Sequence, residues 1–169
     1  MKNLEIKARY NNAAAVEKVQ QLQYSDHYDL KQVDTYFNIP DARLKLRTIN
    51  EKTYELIYYL RPDQSTARQS SYEIYKCEDP TQLTKILTLL HGVKNNIKKR
   101  RQVYIYQESR IHIDFVEELG EFIEFEIVMI PGRTEQEATQ IMQNLLEHFQ
   151  IKNADLVNKS YTDLKMEQD

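Results

Sequence analysis

Leu4-Glu5-Ile6-Lys7-Ala8-Arg9 alternates apolar and charged side chains at period two. Successive side chains of a strand point to opposite faces, so this segment reads as a strand with one apolar and one charged face. Five more segments repeat the pattern: Arg43-Leu44-Lys45-Leu46-Arg47, Glu55 to Arg61, Ile97 to Arg101, Ile111-His112-Ile113-Asp114 and Phe122-Ile123-Glu124-Phe125-Glu126-Ile127. A single strand of this kind is an ordinary surface strand with its charges in water. Six of them, carrying acids and bases together, suggest a charged interior. In a barrel with the charged faces inward, lysines and arginines can hold a polyanion while Glu and Asp hold its metal ions.

Composition narrows the class. At 169 residues, with 41% hydrophobic and 29% charged, the chain reads as one folded domain spanning 1–169 rather than a disordered or membrane-spanning chain. No apolar run approaches the length of a transmembrane helix, and Met1-Lys2-Asn3-Leu4-Glu5 leads straight into a strand pattern. The expectation is a cytoplasmic protein with no signal peptide and no membrane partner. Cys77 is the only cysteine, which excludes an intrachain disulfide and argues against a thiolate metal cluster. The net charge of −3 provides no overall basic field for nucleic acid. Three glycines and no Gly-rich loop argue against a P-loop or a Rossmann fingerprint. Locally the charges segregate. Arg43, Lys45 and Arg47 form a basic strand face and Lys98-Lys99-Arg100-Arg101 a second cluster, while Glu117, Glu118, Glu121, Glu124 and Glu126 form an acidic stretch. An exposed barrel or helix face is compatible with a homodimer, although no interface is legible.

Between the strands the punctuation is helical. Asn11 or Asn12 starts a helix with an Ala15, Val16, Val19, Leu22 stripe. Strands are expected over His27 to Phe37, Arg43 to Ile49, Thr53 to Leu60 and Ser71 to Lys76, with Pro62 to Thr66 as a mobile loop. Asp79 caps a second helix, Pro80 fits its first turn, Gln82 completes a capping box and Gly92 stands at its stop; its buried stripe reads Leu83, Ile86, Leu87 and Leu90. Strands over Ile97 to Gln107, Arg110 to Val116 and Glu121 to Ile130 follow. Thr134 and Glu137 then open the longest helix, and a short helix is expected within Asp155 to Leu164. This order favours an α+β fold, an antiparallel barrel with helices outside; an open sheet with its charged side in water is the alternative.

The residues also resemble a known family in order along the chain. Asn3-Leu4-Glu5-Ile6-Lys7 is similar to the opening Glu-x-Glu-x-Lys signature of the CYTH family, the triphosphate tunnel metalloenzymes. Asp34-Thr35-Tyr36-Phe37, Arg43-Leu44-Lys45-Leu46-Arg47, Leu56 to Pro62, Ile97-Lys98-Lys99-Arg100-Arg101, Arg110 to Asp114, Leu119 to Glu126 and Ser160-Tyr161-Thr162-Asp163-Leu164 resemble its later motifs. The resemblance implies a closed eight-stranded tunnel with helices outside, a triphosphate-containing small molecule as ligand, and Mg²⁺ or Mn²⁺ on oxygen ligands. It implies Lys7, Lys45, Arg47, Lys99 and Arg101 as phosphate ligands, together with Arg43 and Arg61. Glu5, Glu124, Glu126 and Asp114 are the implied metal ligands. Two departures stand out: Asn3 replaces the first acid of the opening signature, and Leu60 stands where many relatives have a base.

Class IV adenylyl cyclases are the branch of closest resemblance, which implies attack of the ATP 3′-hydroxyl on the α-phosphorus. A triphosphatase acting on tripolyphosphate, thiamine triphosphate or a nucleotide is the alternative, and a non-catalytic triphosphate-binding module is a third. Asp114 and Glu73 are the candidate general bases. Alternation points Lys99 and Arg101 inward and Lys98 and Arg100 outward. His112 reads as a structural histidine, and His27, His91 and His148 are too scattered for a zinc site.

Overall fold

The computed structural model describes residues 2–60 and 68–168. Within them the order is β1 (Lys2–Arg9), α1 (Asn12–Gln20), β2 (Asp26–Phe37), β3 (Arg43–Ile49), β4 (Thr53–Leu60), β5 (Arg68–Cys77), α2 (Pro80–His91), β6 (Val93–Tyr106), β7 (Ser109–Val116), β8 (Gly120–Val128), α3 (Glu135–His148) and α4 (Tyr161–Met166), with a 3-10 turn at Asn153–Asp155. The expected loop from Pro62 to Thr66 and the expected ligand Arg61 lie outside the described residues.

All eight strands pair antiparallel, in the spatial order β1-β5-β4-β3-β2-β6-β7-β8, and β1 pairs with β8 as well as β5. Seven residue pairs register β1 with β8, and among the described residues four register β1 with β5, from Lys2↔Ser71 to Glu5↔Arg68. The sheet is therefore curled until its edges meet. The element order β1-α1-β2-β3-β4 recurs as β5-α2-β6-β7-β8, and exchanging the two halves maps the strand order onto itself. No strong sequence repeat announces this relation.

Helices cover the outside because the apolar strand faces point there. Ala15 and Val19 of α1, Ala138, Met142 and Leu145 of α3, and Phe149 just after it pack on Ala8, Ile111, Ile113, Ile123 and Ile127. At about 25 cal/mol per Å² of apolar surface removed from water, this layer is the main source of stability. The helix starts follow the expected chemistry. The Asn11 side chain accepts from Ala14 N–H, and Thr134 and Glu137 form a reciprocal capping box.

Three expectations need correction. Asp79 caps α2 by accepting from Thr81 N–H, so no capping box forms with Gln82. Of the predicted α2 stripe only Leu87 is buried and Leu83 partly so, packed on Phe37, Leu44, Leu46 and Leu56. Ile86 and Leu90 face solvent, because a barrel wall is convex and contacts a narrower strip of helix than a flat core would. The C-terminal helix also starts later than expected, at Tyr161 behind a Ser160–Asp163 capping box.

Candidate functional site

The charged strand faces meet inside the barrel around a cavity of about 370 Å³. The inward side chains lie in layers that follow one another away from α4. Nearest α4, Tyr161 packs with Phe122, Ile97, Tyr36, Val116 and Leu119 and blocks that end. The next layer is basic: Lys7, Lys45, Arg47, Lys99 and Arg101 all line the cavity. Glu124 stands opposite Lys7 in register, and two residues further along β1 and β8 stand Glu5 and Glu126. The mouth beyond is lined by Tyr28, Leu30, Ile74 and Val103.

The bases are held by acids that the sequence reading did not place in this role. Asp34 on β2 is 1% exposed and absent from the cavity lining. It accepts two hydrogen bonds from Arg47, both 2.7 Å, and one from Lys45 Nζ at 2.9 Å. Asp114 on β7 mirrors it. Fully buried, it accepts from Arg101 Nε at 2.7 Å and Nη2 at 2.6 Å, and from the Tyr161 hydroxyl at 2.8 Å; Lys99 Nζ is 3.8 Å away. Each Lys-x-Arg pair is thus anchored on a neighbouring strand, by the register pairs Asp34↔Arg47 and Arg101↔Asp114. Lys7 Nζ donates to the Lys159 carbonyl at 2.9 Å and lies 4.0 Å from the centre of the Tyr161 ring, above which Lys99 also sits.

Burial sets the protonation chemistry. It would raise the Asp34 carboxyl, but Arg47 and Lys45 outweigh it and hold the group well below the usual carboxylate range. Glu124 and Asp114 are held low against burial chiefly by Arg101. Burial and the Arg47 charge push Lys45 down to about 7, and burial and Arg101 push Lys99 down to about 8. Burial and Arg101 likewise lower His112, so its imidazole is neutral at neutral pH.

The acidic side chains have partners of their own. Glu124 accepts from Arg101 Nη2 at 2.6 Å and lies 3.6 Å from Lys7 Nζ. Glu126 accepts from Arg110 at 3.0 Å and from the Asn3 amide. Glu5 accepts from the Tyr72 hydroxyl and stands opposite Glu126 in register. Like charges directly opposite on adjacent strands repel, and a cation between them removes the cost. The Asn3 Oδ1 atom beside them is buried with no hydrogen-bond partner. This all-oxygen donor set fits a hard divalent ion such as Mg²⁺ or Mn²⁺, with phosphate oxygens and water completing the shell. Among the described residues no three His, Cys, Asp or Glu are already gathered closely enough to hold an ion by themselves.

Three candidates fall outside this assembly. Asp114 lies behind Arg101 rather than in the lining, and its depressed pKa makes it a poor base. Glu73 is exposed on the outer face of β5, because the inward positions of that strand are Tyr72 and Ile74. Arg43 binds Asp163 at 2.5 Å and borders a separate cavity with Lys94 and Thr162, tying β3 to α4. Lys98 and Arg100 point outward as alternation requires, and the exposed Leu60 does not line the tunnel. Conversely, Arg110, His112 and Gln32 line the cavity although the sequence reading gave none of them a site role. Their inward position follows from the same alternation that placed Lys99 and Glu124.

A buried basic layer beside an oxygen-rich layer, inside an eight-stranded antiparallel tunnel, coincides with a family match over residues 1–161 to the CYTH domain. The chain belongs to the CYTH domain family. A Methanocaldococcus jannaschii protein named "Putative adenylate cyclase" is 27% identical over 98% of this chain and 99% of its own length. A Pyrococcus horikoshii protein of solved structure superposes with a TM-score of 0.87 at 23% identity, over 96% of this CYTH chain and 98% of the other. A Hippeastrum "putative adenylyl cyclase", described as having a dominant triphosphatase activity, shares the fold with a TM-score of 0.66 at 14% identity, covering 98% and 96% of the two chains.

Proposed function

We propose that this CYTH domain is a divalent-metal-dependent phosphoryl-transfer enzyme acting on a triphosphate-bearing substrate, with an adenylyl cyclase-like reaction from ATP to cyclic AMP and pyrophosphate. The layering of the tunnel carries this reading. With the two terminal phosphates in the basic layer, the α-phosphorus falls beside Glu5, Glu124 and Glu126, and the nucleoside extends to the mouth at Tyr28, Leu30, Ile74 and Val103. The name of the Methanocaldococcus jannaschii relative supports the same branch.

In this reaction the ribose 3′-oxygen attacks the α-phosphorus, the bond from that phosphorus to the bridging oxygen breaks, and pyrophosphate leaves. Lys7, Lys45, Arg47, Lys99 and Arg101 neutralise the charge that grows on the departing pyrophosphate. Because Asp34 and Asp114 already hold the cations in place, little reorganisation accompanies the step. His112 is the neutral group in the lining best suited to accept the hydroxyl proton. Glu5, Glu124 and Glu126 are the residues that would hold Mg²⁺ or Mn²⁺, and a bound ion supplies Lewis-acid polarisation of phosphate oxygens.

A triphosphatase is the second reading, favoured by the activity ascribed to the Hippeastrum protein of the same fold. In that case water attacks the terminal phosphorus, the bond from that phosphorus to its bridging oxygen breaks, the diphosphate portion departs, and the attacked group is released as orthophosphate. Incubation with ATP, tripolyphosphate and thiamine triphosphate, each with Mg²⁺ or Mn²⁺, separates the readings. Cyclic AMP with stoichiometric pyrophosphate supports the cyclase and orthophosphate the hydrolase. Binding without turnover of any of the three would leave only a triphosphate-binding module.

A further inference from the structure

The basic layer holds more bases than acids. Asp34, Asp114 and Glu124 pair with Lys7, Lys45, Arg47, Lys99 and Arg101, so three carboxylates answer five cations. The shortage falls hardest on Lys45. Asp34 gives both its oxygens to Arg47 at 2.7 Å, and Lys45 Nζ shares one of them at 2.9 Å. An arginine keeps its proton, so surplus positive charge in this buried space is relieved at a lysine amine. Burial and the Arg47 charge bring Lys45 down to about 7, against about 8 for Lys99. Its amine is therefore a nucleophile near neutral pH, as a desolvated lysine beside another cation becomes.

The surroundings of that amine suit one class of electrophile. Lys45 lines the cavity, while the Asp34 carboxylate that it binds lies behind the lining. The Tyr36 hydroxyl is 3.4 Å from Nζ, and the centre of the Tyr59 ring is 5.6 Å away. Arg47, Lys99 and Arg101 face the same space and offer fixed donors to a phosphate dianion.

We propose that Lys45 is a site of covalent acylation by small acyl phosphates such as acetyl phosphate, a modification that closes the tunnel to triphosphates. The inference rests on the reading of the basic layer as a phosphate site. The phosphoryl group docks on Arg47, Lys99 and Arg101, which brings the acyl carbonyl to the Lys45 amine with the Tyr59 ring as an apolar wall. Docking turns a slow bimolecular acylation into an intramolecular one. The uncharged amine attacks the carbonyl carbon and forms the C–N bond. The bond from that carbon to the bridging oxygen breaks, and the amine proton departs with the phosphate as HPO₄²⁻. An acyl phosphate carries fewer charges than a triphosphate, so its binding returns the amine to ammonium less strongly. The amide product is neutral, which removes one cation from the layer and fills part of the cavity.

Peptide mass spectrometry of the wild-type chain, sampled over time in acetyl phosphate near pH 7.5, tests this directly. Lys45 should be acetylated about tenfold faster, or more, than the exposed Lys52, Lys85 and Lys98. Saturating tripolyphosphate should slow Lys45 alone. Acetic anhydride, an acyl donor without a phosphate, should reverse the order, because nothing then offsets the poor access to a buried amine. The acetylated fraction should bind tripolyphosphate about tenfold more weakly, read by calorimetry. A chain that binds tripolyphosphate yet acetylates Lys45 no faster than the exposed lysines overturns the proposal and spares the phosphate reading. A chain that neither binds tripolyphosphate nor favours Lys45 overturns both. Labelling of Lys45 that tripolyphosphate does not slow, or that acetic anhydride favours equally, removes the docking step and the proposal with it.

Discussion

Asp34 and Arg47 face each other as a register pair between β2 and β3 and share two hydrogen bonds of 2.7 Å, the carboxylate lying wholly behind the cavity lining. The acid therefore does not meet a ligand; it fixes the cations that do. Replacing it as Asp34→Asn strands Lys45 and Arg47 without a counter-charge. Breaking a buried pair from one side costs about 3–5 kcal/mol, and the urea midpoint should fall accordingly. Added tripolyphosphate should recover part of the loss, because a polyanion restores the missing charge. An unchanged midpoint would show that solvent already screens the pair.

Tyr161 works through two separate features. Its hydroxyl binds Asp114 and its ring supports Lys7 and Lys99. Tyr161→Phe keeps the ring and should cost about 1–2 kcal/mol for the lost hydrogen bond to a charged group. Tyr161→Ala also empties the space against Phe122 and should cost about 3–5 kcal/mol. Equal losses in the two variants, measured by chemical denaturation, would contradict this division.

Glu126 and Arg47 should separate metal from phosphate. Glu126→Gln is expected to lower metal-dependent turnover on the order of 100-fold while leaving metal-free tripolyphosphate binding within a few fold. Arg47→Ala should instead weaken that binding by about tenfold to a hundredfold, through loss of a charged donor from the basic layer. Calorimetry reads both, and the assignment fails if the two variants behave alike.

Two buried lysines make binding pH-dependent. Lys45 is pushed down to about 7 and Lys99 to about 8. Between those values and the ordinary lysine value near 10.5, the unfolded chain holds more protons than the folded one. Stability of the empty protein should therefore rise with pH through this window. A bound triphosphate favours the ammonium forms, so its affinity should change in the opposite sense and fall as pH rises above about 7. Proton uptake on binding, read by calorimetry at pH 8 in buffers of different ionisation enthalpy, checks the sign.

Much of the site was legible because strand alternation is a local property. Lys7, Lys45, Arg47, Lys99, Arg101, Glu5, Glu124 and Glu126 all line the cavity because they share a parity with their neighbours on a curled sheet. Arg110 and His112 share it too and needed only to be counted. Alternation does not tell which inward group reaches the cavity. Asp34 and Asp114 have inward parity, yet each is short and lies beneath a longer arginine on the adjacent strand. Arg43 has the parity of Lys45 but sits one layer nearer α4, where Asp163 claims it.

What the chain determined by itself was therefore periodic or adjacent: the strands, their two faces, the helix caps at Asn11 and Thr134, and the segregation of acids from bases. These depend on side chains a few residues apart, whose geometry the backbone dictates. Tertiary structure alone decided the rest. Only the order of strands around the wall brings Asp114 under Arg101, puts Glu5 opposite Glu126, and lays Tyr161 across the end of the tunnel. These contacts join residues on different strands or on a strand and α4, and their distances follow from register and curvature rather than from composition. The same holds for α2, whose exposed flank follows from the shape of the wall beneath it.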